Sequence, residues 1–340
     1  MNNYPYARVL SAAAMAAALS LVAAFSAPTA TAETKIRITT QLPSKNVIPK
    51  NLYRFEELVE KASGGDMAVE VFDSAQLYKD KEVPKAVSTG AIEMGSAALT
   101  RFVGTTPIVD LFFTPFVFKD FNAVVAATQP GHPIRVTIEA EVLKTGARVL
   151  WWQPFGMAVM LSKGEAIDTP EKMQGKKVRA FGKAPGAFVK ALGGVPTLMS
   201  GSEQFLAYQR GTVDAGMTGV TAVKSRKLNE VMDYMIQTNH AVPEFVVVVN
   251  EAFWQGLTDK QREILTKAAR QVESEMNANY AKTEADVIEW IKSDTKMKVV
   301  ELDDTQRMAF QKASASVVDD FINSAGPEGA RLVEEARKLQ

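Results

Sequence analysis

Two histidines, His132 and His240, and no cysteine are what this chain offers to the commonest forms of side-chain catalysis. Without Cys there is no thiolate nucleophile, no CxxC redox pair, no cysteine zinc site and no disulfide. No H-E-x-x-H pair occurs and no other run has ligand spacing, so no metal is expected. No G-x-S-x-G elbow is present, and no G-x-G-x-x-G follows a strand. Gly175 and Gly182 have six residues between them, where a phosphate loop has four. The carboxylate pairs Asp303–Asp304 and Asp319–Asp320 lie in polar, solvated segments. What stands out is a set of aromatics around one arginine. Arg179 sits among Val178, Ala180 and Phe181, and Trp151-Trp152-Gln153-Pro154-Phe155-Gly156 joins two strands. An arginine in an apolar strand is costly to bury unless an anion meets it. Its planar fork suits a carboxylate or sulfonate bidentately. The residues alone leave two readings open: Arg179 awaits an anionic ligand, or it pairs with a structural Asp or Glu.

Strands alternating with helices must position these groups. Lys35–Thr40 and Met67–Phe72 alternate with period two and read as half-buried strands. Between them, Leu52, Phe55, Leu58, Val59 and Ala62 recur at helical spacing, and Ser63-Gly64-Gly65-Asp66 ends that helix. Lys81–Ser88 reads as a helix and Ile92–Ser96 as a third strand. This β-α-β-α-β order predicts a parallel sheet with helices on both faces. Further strands are expected at Ala147–Trp152, Met157–Leu161, Lys176–Phe181, Val213–Met217 and Phe245–Asn250. Helices are expected from Thr169-Pro170, with Thr as N-cap and Pro at N1, and at Pro185–Leu192 and Glu203–Arg210. Asp259–Ser293 has neither Pro nor Gly and follows the N-cap Thr258. Two helices or a coiled coil would satisfy that stretch; one helix of about 50 Å lying across two lobes is the preferred reading.

The 340 residues carry 39 Lys+Arg against 39 Asp+Glu, and 46% are apolar. Ordinary globular composition at this length allows two domains. Balanced charge gives no global reason to expect nucleic acid or an anionic membrane as partner. Arg8 is the only charge before Glu33, Val9–Phe25 is apolar, and Ala30-Thr31-Ala32 is a small-x-small triplet. Residues 1–32 therefore read as a cleaved secretory signal peptide, too short and too Ala-rich for a membrane anchor. A soluble secreted chain without cysteine fits a bacterial periplasm.

Five segments in order carry a resemblance. They are Asp73–Leu77, Thr89–Met94, Val109–Phe118, Ile167–Arg179, and Gly193–Met199 with Glu203 and Gln209–Asp214. Together with the long helical tail, they resemble the DctP-type solute-binding proteins of TRAP (tripartite ATP-independent periplasmic) transporters over essentially Lys35–Gln340.

The resemblance implies an α/β, two-lobed periplasmic-binding-protein fold. The ligand cleft lies between the lobes, which are joined by crossing strands and a long lobe-spanning helix. The lobes are read as 33–154 plus about 244–275, and 155–243 plus about 276–340. It implies no catalysis and no cofactor, but capture of a small organic anion by hinge closure and delivery to TRAP membrane permease subunits. Arg179 matches the family arginine that typically binds the ligand carboxylate. Thr40, Gln41 and Ser96 are expected to contact ligand from the first lobe, and Trp152, Gln153, Phe155, Phe181, Met199 and Thr218 complete the expected site. Lobe core is the competing reading of the aromatics. Sialic-acid-binding members carry a second arginine where this chain reads Phe155-Gly156-Met157-Ala158-Val159, a glutamate where it has Ala98, and an asparagine where it has Thr218. A smaller or more apolar monoanion is therefore expected: a 2-oxo acid, hydroxy acid, aromatic acid or short sulfonate. The alternatives are an amine or polyol cargo with Arg179 paired internally, and the binding protein of an ABC importer. Further off lies a secreted hydrolase or lyase using His240, Asp214 and Glu203.

Overall fold

The first strand, β1 (Thr34–Thr40), pairs in parallel with β3 (Met94–Ala98), and β2 (Met67–Phe72) lies on its other side. These coordinates are a computed structural model that describes residues 33–339; the signal-peptide reading of residues 1–32 lies outside the described residues. β4 (Ala147–Pro154) and β10 (Glu244–Asn250) complete a sheet of order β2-β1-β3-β10-β4. β10 runs antiparallel to both neighbours, with Val247 opposite Ser96 and Trp151. The second sheet has the order β11-β9-β5-β8-β6-β7. Its strands are β5 (Ala158–Ser162), β6 (Lys177–Ala180), β7 (Val195–Leu198), β8 (Ala215–Gly219), β9 (Tyr234–Gln237) and β11 (Lys298–Glu301). β5 is antiparallel to β8 and β9. β1 and β3 are parallel as the β-α-β-α-β order predicts, but β10 and β5 make both sheets mixed. The reason is that β4–β5 and β9–β10 are direct crossovers between sheets, and each delivers a strand with reversed direction.

Most expected elements appear with shifted ends. The first helix runs Val47–Ser63: Asn46 caps it through its side chain, which accepts from Ile48 N, and Gly64 ends it at φ 64°. The expected helix after Thr169-Pro170 is only a 3-10 turn, Pro170–Met173, because the chain must enter β6 four residues later. β7 has no alternating signal: Pro196 interrupts it, which an edge strand tolerates.

The stretch from Asp259 forms one continuous helix, Asp259–Asp294, of 36 residues, about 54 Å long. Thr258 and Gln261 form its capping box, with Gln261 N–H on Thr258 Oγ1 and Thr258 N–H on Gln261 Oε1. Leu265, Ala269 and Val272 pack with Ile38, Phe55 and Trp151 under the first sheet. Val287 and Ile291 pack with Leu161, Tyr208 and Met235 under the second. The helix therefore spans the two lobes. Among the described residues, no helix is long and apolar enough to cross a membrane.

Candidate functional site

Loops at the strand ends of both lobes meet around one enclosed cavity. Gln41 Oε1 accepts from Ser202 N–H at 3.2 Å, Asn46 Nδ2 donates to Ser225 Oγ at 2.9 Å, and Lys79 Nζ pairs with Glu203 Oε1 at 3.1 Å. Each contact joins a loop of the first sheet to a loop of the second, so the lobes are closed on each other. The space between atoms there, its open mouth included, is about 300 Å³. Its lining includes Gln41, Asp80, Phe155, Arg179, Thr218 and Arg226.

Arg179 is held from below by backbone. β6 places it opposite Gly216, where a Cβ would strike the Tyr208 hydroxyl and crowd the Arg179 Cβ. Nη1 donates to the Met217 carbonyl at 2.5 Å and Nη2 to the Met199 carbonyl at 3.2 Å, while Nε has no partner. The guanidinium lies 5.2 Å from the Phe181 ring centre, a cation–π distance. Only 2% of the residue is exposed. No carboxylate among the described residues pairs with it. Burial pulls its pKa down to about 10, so it remains a cation at neutral pH.

A second arginine faces the same space. Arg226 follows the short helix Val220–Ser225. Its Nη1 makes one long hydrogen bond, 3.4 Å, to Gln204 Oε1, and Nε and Nη2 are sealed from solvent without a partner. Gly201 makes room for it, since a Cβ there would collide with the guanidinium. Burial first, and the Arg179 charge second, bring its pKa down to about 9. Asp80 is the one carboxylate in the lining. It is already engaged: Oδ2 accepts from Arg101 Nε at 2.5 Å and Oδ1 from Ala98 N–H at 3.0 Å. Arg101 engages Asp80, and neither cavity guanidinium has a carboxylate in contact with it among the described residues.

Five of the ten expected residues line this cavity: Gln41, Phe155, Arg179, Phe181 and Thr218. Met199 contributes its carbonyl to Arg179. Thr40 and Ser96 are buried opposite each other in the β1–β3 register. Gln153 bridges Ser96 Oγ and Asn51 Nδ2 beneath the cavity wall. Trp152 lies in the lobe interior, its ring 5.3 Å from Phe112 and its indole N–H on Glu139. Arg226, Asp80, Pro243 and Phe245 also line the cavity, and the sequence gives little sign of the first two. Lys224-Ser225-Arg226-Lys227 and Lys79-Asp80-Lys81-Glu82 read as solvated charge runs. Of the three groups named for an enzyme, none lines the cavity. His240 stacks on Phe188 at 4.3 Å, Asp214 accepts from Lys177 N–H, and Glu203 pairs with Lys79.

The family model described as bacterial extracellular solute-binding protein, family 7 (DctP) matches residues 38–324. The C4-dicarboxylate-binding periplasmic protein DctP of Rhodobacter capsulatus is 31% identical over 334 residues, 97% of this chain and 98% of that protein. The 2,3-diketo-L-gulonate-binding periplasmic protein YiaO of Escherichia coli K12 is 25% identical, covering 89% of this chain and 90% of that protein. Among solved structures, a TRAP periplasmic solute-binding protein from Shewanella oneidensis with bound succinate superposes with a TM-score of 0.85. It has 22% identity over 90% of this chain and 99% of that one. The sugar-acid-binding DctPAm of Advenella mimigardefordensis with galactonate gives 0.86 at 21% identity, covering 91% and 99%.

Proposed function

Because the chain belongs to the bacterial extracellular solute-binding protein family 7, the DctP family, we propose that it captures a small dicarboxylate between its lobes and hands it to a TRAP membrane permease. Family members are periplasmic solute-binding proteins, not enzymes. One observation carries the ligand reading: two buried guanidinium groups, Arg179 and Arg226, share a closed cavity and neither has a carboxylate partner. One carboxylate of the ligand meets Arg179 and the other Arg226. Gln41 and Thr218 supply neutral hydrogen bonds, and Phe155, Phe181 and Phe245 cover the carbon chain. Each charge-assisted contact contributes about 1.5–3 kcal/mol. A micromolar affinity needs about 8 kcal/mol, so apolar contact and neutral hydrogen bonds supply the remainder. The relatives named for C4-dicarboxylates support this class.

Ligand binds the closed form better than the open one, and that difference drives closure. Residues 1–32 export the chain and are then removed. The lobe boundaries fall at Pro154–Phe155, at Pro243–Glu244 and within the long helix near residue 275, where the crossovers leave the first sheet. A thermal-shift screen over dicarboxylates, monocarboxylates, sulfonates, polyols and amines tests the ligand class. A ligand at 100 times its Kd stabilises by about 2.7 kcal/mol. Short dicarboxylates should give the largest shift. A shift confined to amines or polyols would reject the anion reading, and one confined to monocarboxylates would reject the second charge.

A further inference from the structure

Arg226 is seated by the opposite lobe as well as by its own. Within the second lobe it follows the helix Val220–Ser225, and Lys227 turns the chain away at φ 55°. Its guanidinium lies against the Gly201 backbone, where a Cβ would come within 2.5 Å of Cζ. Among the described residues, the side-chain partner it has there is Gln204 Oε1, at 3.4 Å. Gln204 is fixed in turn by its Nε2, which donates to the Tyr208 hydroxyl at 2.6 Å. Arginine has as much rotamer freedom as any side chain, and one long hydrogen bond does little to remove it.

The first lobe supplies the missing restraint. Its loop between β1 and the first helix, residues 41–46, reaches across the cleft at two points. Gln41 Oε1 accepts from Ser202 N–H at 3.2 Å, next to the Gly201 floor, and Asn46 Nδ2 donates to Ser225 Oγ at 2.9 Å, next to Arg226 itself. One bond holds the surface beneath the guanidinium; the other holds the backbone from which the side chain grows. Gln41 and Asn46 are both buried, at 4% and 2% exposed. Asn46 is rigid: its Oδ1 caps the first helix by accepting from Ile48 N–H at 3.0 Å, and its own N–H donates to the Pro43 carbonyl at 2.8 Å. The loop belongs to one lobe and both serines to the other, so opening the lobes breaks the two bonds together.

We propose that Asn46, acting through Ser225, is a positioning residue for Arg226 and thereby sets the preference for a doubly charged acid over a singly charged one. The inference rests on the dicarboxylate reading above and extends it to a residue outside the cavity lining. In the open form Arg226 keeps the Gly201 floor and Gln204 and is free to swing. In the closed form the Asn46–Ser225 bond fixes the helix end, and the guanidinium is held where a second carboxylate arrives. A cargo with one carboxylate closes the lobes without using that seat.

Ser225→Ala tests this. It removes the acceptor of the cross-lobe bond, leaves Arg226 and the Asn46 cap of the first helix in place, and substitutes a good helix former. Titration calorimetry compares succinate with its monoamide, succinamate. Weaker closure raises both Kd values alike; lost positioning raises that of succinate alone. The wild-type preference for succinate should fall about five-fold in Ser225→Ala, while Ser225→Thr, which keeps the hydroxyl, should retain it. In an Arg226→Gln background Ser225→Ala should no longer move the preference, because the two act through one contact. A preference that Ser225→Ala leaves unchanged, whether or not both ligands weaken together, would overturn the positioning role and leave the dicarboxylate reading standing. So would a preference that Ser225→Ala still lowers when Arg226 is gone. Equal affinity of the wild type for the two ligands would instead overturn the dicarboxylate reading, and this inference with it.

Discussion

Replacing Arg226 with Gln separates a cleft that counts two charges from one that recognises a single carboxylate. The Nε and Nη2 of Arg226 are sealed and unpartnered, so a bound carboxylate would meet them with little competition from water. Losing that contact removes about 1.5–3 kcal/mol. Leaving the second carboxylate buried without a partner raises the cost to about 3–5 kcal/mol. At 1.4 kcal/mol per decade, the Kd for a dicarboxylate should rise at least about 100-fold. A monoamide of the same acid keeps one carboxylate on Arg179 and offers an uncharged end to position 226, so its Kd should change only a few-fold. Fold stability should hold or improve, because Arg179 and Arg226 repel each other in the unliganded cavity. Titration calorimetry of wild type and Arg226→Gln with succinate and with succinamate gives the ratio directly. Equal losses for the two ligands, or no loss for succinate, would refute the reading of Arg226 as the second anchor.

Lys79→Ala cuts the cross-cleft ion pair with Glu203, whose side chains are 43% and 38% exposed; such a pair is worth under about 1 kcal/mol. Ligand dissociation in stopped flow should therefore speed up by no more than about five-fold, with the thermal midpoint unchanged. Trp152→Ala should cost about 3–5 kcal/mol in denaturant unfolding, while the preference for dicarboxylate over monoamide survives, because the ring packs on Phe112 and not on the cavity. Asp110 is held by burial at about pH 6, against 3.8 for a free side chain, although Thr100 and the Ala184 N–H both donate to it. The fold binds that proton more tightly than the unfolded chain, so its contribution to stability is greatest below about pH 4 and is lost as pH rises through 6. Urea midpoints of Asp110→Asn should lack the decline that wild type shows across that window.

The lobes were legible where periodicity was strong. β1, β2, β10 and the Asp259 helix each carry their signal in a run of residues that tertiary packing leaves intact. Sheet direction was not legible, since β4–β5 and β9–β10 reverse a strand through crossovers of three and six residues that no local pattern marks. Arg179 announced itself because Val178, Ala180 and Phe181 surround it in sequence. Arg226 and Asp80 did not, because each sits in a charge run that reads as solvent-facing, whereas the fold turns both side chains into the cavity wall. Trp152 misleads for the converse reason: it neighbours Phe155 in sequence, but strand alternation and its bond to Glu139 direct it into the interior.

The central claim is that Arg179 holds the cargo's carboxylate inside the closed cleft. Titration calorimetry of wild type and Arg179→Ala with one short dicarboxylate tests it most directly. Wild type should bind in the micromolar range or tighter, and the variant should give no measurable heat while remaining folded. Matching isotherms for the two proteins would contradict the account.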